Sequence, residues 1–102
     1  IGMTLALTCD LRVIGADAYL MSAFANIGLV PDVGLSWLLT QEVGYARAYQ
    51  LAIEAEKISA DRCLALGLVN RVVPSADVVP NAADWARSIA QRAPIAMNLT
   101  KR

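Results

Sequence analysis

Charge is nearly absent from the N-terminal part of this chain: between Ile1 and Gln41 only Asp10, Arg12, Asp17 and Asp32 are charged at neutral pH. The spacing of those four residues leaves no uncharged window of the roughly 18 residues that a membrane-spanning helix requires. So apolar a stretch must therefore fold as packed core, and no membrane segment is expected. The whole chain continues the trend, with 57% hydrophobic and 18% charged residues in 102 positions, against roughly 45–50% apolar residues in ordinary soluble domains. That length suits one small domain or part of one, and a chain this apolar is expected to have a partner surface that covers it. It starts at Ile1 rather than at Met, which reads as a piece of a longer protein. No basic leader with an apolar centre and small-residue cleavage site marks it for secretion.

Nine basic residues balance nine acidic ones, with no Lys/Arg cluster interleaved with aromatics, so the field that would draw nucleic acid is missing. Cys9 and Cys63 lack metal-ligand spacing, and the chain has no His. No metal is expected, and two core thiols fit a reducing, cytoplasmic setting.

Local patterns predict a mixed α/β, helix-rich fold. Gly2 to Cys9 reads as a short apolar helix passing into a strand at Leu11–Ile14, with a second short strand at Ala18–Met21 after the Gly15-Ala16-Asp17 turn. Phe24–Val30 reads as an apolar loop. Pro31 and Asp32 stand where a helix containing Gly34–Leu39 should begin. Tyr45, Ala48, Tyr49 and Ala52 recur at helical spacing and predict one apolar face on an ordinary packed helix. Ser59 is a candidate N-cap, with Asp61 in the first turn of a helix running to Leu66 and Gly67 in the left-handed position that ends it. Leu68-Val69 and Val72-Val73 suggest an extended piece stopped by Pro74. A further capped start is expected at Asn81, with Asp84 three residues on, and Pro94 opens a last helix.

Two stretches resemble a known family. Gly2-Met3-Thr4-Leu5-Ala6-Leu7-Thr8-Cys9-Asp10-Leu11-Arg12 is similar to the segment of enoyl-CoA hydratase/isomerase proteins, the crotonase superfamily, in which a Gly-rich turn opens a helix and runs into a strand. Ala23 to Leu39, then Gly44-Tyr45-Ala46-Arg47-Ala48, Ile58-Ser59-Ala60 and Ala65 to Asn70, resemble its isomerase branch, closest in motif to the epoxyphenylacetyl-CoA isomerases and the Δ3,Δ2-enoyl-CoA isomerases. The resemblance implies a spiral of ββα units, of which residues 1–102 would be a partial, C-terminal portion. An upstream half with one oxyanion donor and much of the coenzyme A site would be absent, as would the trimerisation helices after Lys101-Arg102. It also implies a homotrimer or homohexamer and an acyl-CoA thioester substrate, with no cofactor beyond the coenzyme A of the substrate.

Carried over residue by residue, the resemblance places an oxyanion-hole donor at Ile1 or Gly2, where a helix start offers N–H groups to a developing enolate; the plainer alternative is a glycine that merely permits close packing. It places the catalytic acid at Asp32, a carboxylate expected in an apolar pocket where burial would let it alternate between base and acid; the plainer alternative is a helix-capping Asp. The two glutamates that hydratases of the family use fall on Thr4 and Phe24, so classical hydration is disfavoured. Thr4, Phe24, Ile27, Leu29 and Trp37 are candidate pocket residues, with ordinary core packing as the alternative. Lys101 is a candidate contact to a coenzyme A phosphate or else a solvated helix residue, and Arg47 a structural brace. Where related isomerases continue Leu-Leu-Pro-Arg this chain has Leu38-Leu39-Thr40-Gln41, and Leu35 replaces a small residue.

The expected activity is acyl-CoA isomerisation through a thioester enolate. The alternatives are hydration or another crotonase reaction with Asp32 orienting water, and a catalytically silent paralogue or truncated assembly subunit. The 102 residues alone are expected to be inactive.

Overall fold

Met3, Leu5, Ala6 and Leu7 favour helix strongly, and in the computed structural model, which describes Ile1 to Arg102, they form helix α1 (Gly2–Thr8). Met3 and Leu7 lie one turn apart and are both buried. The chain leaves α1 through an extended Cys9 and enters strand β1 (Val13–Gly15), two residues later than the sequence pattern suggests. The cause is Arg12: its N–H donates to the Asn70 side-chain carbonyl at 2.8 Å and its own carbonyl accepts from the Asn70 N–H at 2.9 Å. A side chain thus takes the place of a ladder partner, and pairing begins at Val13.

Strand β2 (Tyr19–Leu20) pairs antiparallel with β3 (Ile58–Ser59), Tyr19 opposite Ser59. Strand β1 pairs in parallel with β4 (Arg71–Val73), Val13 opposite Arg71. Parallel neighbours need a long crossover, and this one carries a 3₁₀ turn at Phe24–Ile27 and helices α2 (Leu35–Val43), α3 (Tyr45–Glu54) and α4 (Ala60–Leu66). Helix α4 starts and stops where the sequence predicts: the Ser59 hydroxyl accepts the Arg62 N–H at 3.3 Å, and Gly67 takes φ +80°.

Helix α3 corrects the predicted face. Ala48 and Leu51 point into the core, followed by the buried Ala55, while Tyr45 and Tyr49 are 74% and 56% exposed. The spacing of three and four residues between Ala48, Leu51 and Ala55 gives the narrower stripe that fits against α2, and it turns the two tyrosines outward.

Helix α5 (Val78–Ala90) begins three residues before the predicted Asn81 cap. The 3₁₀ turn Ser75–Asp77 leads straight into it, and Pro80 lies in the first turn, where a missing N–H deprives no partner. Asn81 instead accepts a 3.3 Å hydrogen bond from the Arg71 guanidinium, which also sits 3.8 Å from the centre of the Trp85 ring. Pro94 opens helix α6 (Pro94–Lys101), as expected.

One core joins α1 to α4 and β1, built on Met3, Leu7, Leu35, Leu39, Ile58 and Leu68, with the Cys63 thiol fully enclosed, while α5 and α6 bury no residue in it. Its edge is stapled by Arg12, whose side chain is only 8% exposed. Arg12 Nε donates to the Leu68 carbonyl at 2.6 Å, Nη1 donates to the Cys9 carbonyl at 2.6 Å, and Nη2 lies 3.1 Å from Glu42 Oε2 on α2. No helix is long and apolar enough to cross a membrane.

Candidate active site

Pro31 restricts its own backbone, and the two residues that follow Asp32 both turn left-handed: Val33 has φ +56° and Gly34 φ +79°. For a β-branched residue this is an outlier that costs of the order of 1–3 kcal/mol, and strain of this kind gathers at functional sites. The Asp32 carboxylate accepts the Val33 N–H, and the Asp32 carbonyl accepts the Leu35 N–H at 3.0 Å. The sharp turn therefore fixes the acid just before α2. Gly34 occupies the cap position of α2 without any side-chain cap bond, so Asp32 is not its helix cap. The carboxylate is exposed; the apolar enclosure expected around it is not supplied by these residues.

Helix α1 packs against α2, so the helix carrying Gly2 and Thr4 is seated on the helix that follows Asp32. Ile1 and Gly2 are both exposed, and no side chain caps the first turn. Thr4 is buried, and its hydroxyl has no partner in the chain; the same is true of Ser22.

The candidate pocket residues separate. Phe24 is half-buried against the core, while Ile27 and Trp37 are 72% and 65% exposed. Leu29 alone among them lines a groove. Lys101 is on the surface, 2.8 Å from Asp10 Oδ2, and the hydrogen bond to that carboxylate pushes its pKa up. Arg47 is exposed and makes no ion pair. Burial pushes the Cys63 thiol upward, as a core position would; Cys9, also expected in the core, is exposed instead because it lies just past the end of α1.

The groove has a volume of about 290 Å³. Leu29, Val30 and Pro31 form one wall, Tyr45, Tyr49 and Ile53 of α3 form the other, and the buried Leu39 and Ala48 form the floor. The two tyrosine rings stack with centroids 6.0 Å apart. Sequence reasoning assigned Tyr45 and Tyr49 to packing and did not consider Ile53. The available signal was a spacing of four, from Tyr45 to Tyr49 to Ile53, on a helix whose core face is already filled by Ala48 and Leu51.

No three His, Cys, Asp or Glu side chains gather where they could hold a metal ion. What the site offers is a carboxylate on a fixed turn, beside an apolar groove and two helices in contact. A carboxylate so placed can exchange a proton with the carbon of a bound molecule.

The sequence profile of the Enoyl-CoA hydratase/isomerase family matches residues 1–102. The chain is 34% identical over 100 residues to the short-chain-enoyl-CoA hydratase of Clostridium acetobutylicum, covering 98% of this chain and 38% of that protein. It is likewise 34% identical over 100 residues to the 1,2-epoxyphenylacetyl-CoA isomerase of Escherichia coli, again covering 98% of this chain and 38% of that protein. The crystal structure of an enoyl-CoA hydratase/isomerase from Cupriavidus metallidurans superposes with a TM-score of 0.92 at 37% identity, over 98% of this chain and 38% of the other. The chain thus spans well under half the length of these relatives.

Proposed function

The chain belongs to the enoyl-CoA hydratase/isomerase family of the crotonase superfamily, and from that premise we propose that it contributes the proton-transfer part of an acyl-CoA isomerase. Asp32 takes the proton from the carbon next to the thioester carbonyl, becoming a neutral acid. The negative charge spreads onto the thioester oxygen, where the Ile1 or Gly2 N–H donates to it alongside a second donor from the rest of the protein. The acid then returns its proton to a different carbon of the same acyl chain, so that a double bond moves and no atom is gained or lost.

The observation that carries this reading is that Asp32 holds an exposed carboxylate on the sharp turn before α2. The positions of the two hydratase glutamates hold a buried Thr4 and a half-buried Phe24, neither of which can accept a proton from carbon. The strained Val33 directly after Asp32 supports it. Enclosure of the exposed carboxylate falls to bound substrate and the remainder of the intact protein, which we place in the cytoplasm as a homotrimer or a pair of trimers. The free Cys9 and Cys63 suit that reducing setting. No cofactor enters the scheme beyond the coenzyme A of the substrate.

Hydration is the second reading, favoured by the hydratases among the relatives, with Asp32 orienting a water molecule. The test is mass spectrometry of the intact protein incubated with paired Δ3- and Δ2-enoyl-CoA in heavy-oxygen water. Bond migration without label uptake is the expected result, and a labelled 3-hydroxyacyl product would replace isomerisation by hydration. Asp32→Asn is expected to lower kcat at least about 100-fold, the lower bound for a positioned acid-base group; full turnover in that variant would remove Asp32 from the mechanism.

A further inference from the structure

We infer that the cavity between α3 and α4 is a second ligand site, built for inorganic phosphate or a small phosphate monoester and separate from the groove beside Asp32. Arg47, Gln50 and Leu51 line it from α3, and Arg62, Ala65 and Leu66 from α4, around a volume of about 390 Å³. Successive residues of a helix are turned by about 100°, so Arg47 and Gln50 project from the side of α3 opposite Tyr45 and Tyr49, which wall the groove. The two concavities therefore share a helix and no lining residue.

The charge in this cavity is unbalanced. Neither Arg47 nor Arg62 takes part in an ion pair, and no acidic side chain belongs to the lining. The Glu54 carboxylate, one turn beyond Gln50, accepts from the Gln50 amide at 3.3 Å but stays outside the lining, as does Asp61 next to Arg62. Two like charges at one concavity repel, and an anion between them replaces that repulsion with charge-assisted hydrogen bonds. Leu51 beneath them is buried and Leu66 half-buried. Water is thus excluded from one side, and attraction to an anion is stronger there than on an open surface.

The donor set narrows the anion. A guanidinium presents a planar fork that matches phosphate and carboxylate oxygens. A phosphate monoester carries about −1.5 to −2 charges at neutral pH, enough to balance both arginines, whereas a single carboxylate balances one. At roughly 30 Å³ per condensed-phase heavy atom, the share of a water molecule in its liquid, the cavity takes about a dozen atoms. That is room for a phosphate with a small polar body, and too little for a nucleotide.

The experiment uses the intact protein. Inorganic phosphate is titrated by calorimetry at an ionic strength held constant with sodium chloride, and the titration is repeated with butanoyl-CoA at saturation. One saturable site per chain is expected, unchanged by the thioester, with a melting temperature that rises with phosphate concentration. Arg47→Gln and Arg62→Gln should each weaken binding at least about tenfold, the loss of a hydrogen bond to a charged group. Arg62→Lys, which keeps the charge and loses the fork, should weaken it less. Both arginines are exposed, so the variants should fold, with circular dichroism as the check. Heat that does not saturate, or equal binding in the Arg47→Gln/Arg62→Gln double variant, would overturn the site. Competition by butanoyl-CoA would overturn its independence and assign the cavity to the thioester's own phosphates. No phosphate binding, together with a melting temperature lowered in both glutamine variants, would overturn it in favour of a carboxylate from the rest of the intact protein seated between the arginines. None of these outcomes bears on Asp32, which bond migration tests separately.

Discussion

Replacing Arg12 should damage this fold more than removing any large hydrophobic residue from its surface. The guanidinium is 8% exposed and holds three separate segments: the end of α1 through Cys9, the chain after α4 through Leu68, and α2 through Glu42. In Arg12→Ala the Leu68 and Cys9 carbonyls lose charge-assisted donors worth about 1.5–3 kcal/mol each, though not additively. Glu42 is also left without its partner, and breaking a buried pair from one side costs about 3–5 kcal/mol. The Glu42 side chain is 31% exposed and can turn to water, so that figure does not apply to it, and a total loss of about 3 kcal/mol, set by the lower ends for the two carbonyls, is expected. Arg12→Lys keeps the charge, but a single ammonium cannot serve three directions at once, and about 2 kcal/mol should still be lost. The assay is equilibrium urea denaturation of the intact protein, with Arg12→Ala, Glu42→Ala and the double variant forming a cycle. A coupling of about 0.5–3 kcal/mol is expected for groups in contact. An Arg12→Lys variant within about 0.5 kcal/mol of wild type, or a cycle with no coupling, would refute the picture of Arg12 as a three-way staple.

Three further outcomes follow from local geometry. Val33→Gly releases positive-φ strain at the cost of added chain entropy, and a net gain of about 1 kcal/mol is expected in the same denaturation assay. Gly15→Ala would put a Cβ 2.8 Å from Ser75 Oγ and 3.2 Å from Ser75 Cα; since the latter is backbone, a loss of about 1–3 kcal/mol should appear. The buried Cys63 thiol titrates above its ordinary value of 9.0 in the folded chain. The unfolded chain therefore ionises first, and stability present below that value is lost as pH rises past it. The alkaline loss should shrink in Cys63→Ala, and a thiol reagent should modify the exposed Cys9 promptly while reaching Cys63 only on unfolding.

Features governed by neighbours a few residues away were legible in the sequence. The Ser59 cap, the Gly67 stop and the Pro94 start each depend on one side chain or one backbone preference, and each stands where expected. Features governed by distant partners were not. The start of β1 is set by Asn70, the early start of α5 follows from the Ser75–Asp77 turn with Arg71 claiming Asn81, and the rotation of α3 is set by the need to seat Leu51 against the core. At the candidate site, the resemblance singled out Asp32, but nothing local announces that Val33 is forced to positive φ. The groove was invisible for a related reason: Tyr45 and Ile53 look like core residues until Ala48 and Leu51 are seen to occupy that role.

The pairing of β1 with β4 joins residues 58 positions apart, as do the Arg12–Asn70 and Asp17–Ser75 contacts beside it. Three helices lie inside that span. Closing a loop of this length sacrifices chain entropy before any parallel hydrogen bond is gained, whereas α2, α3 and α4 can form from near neighbours in about a microsecond. The order of assembly should therefore run from helices to sheet, with zipping of Val13 onto Arg71 as the late, rate-limiting step. A cut or insertion between α3 and β3 would slow that step far more than it would weaken any single contact in the finished fold.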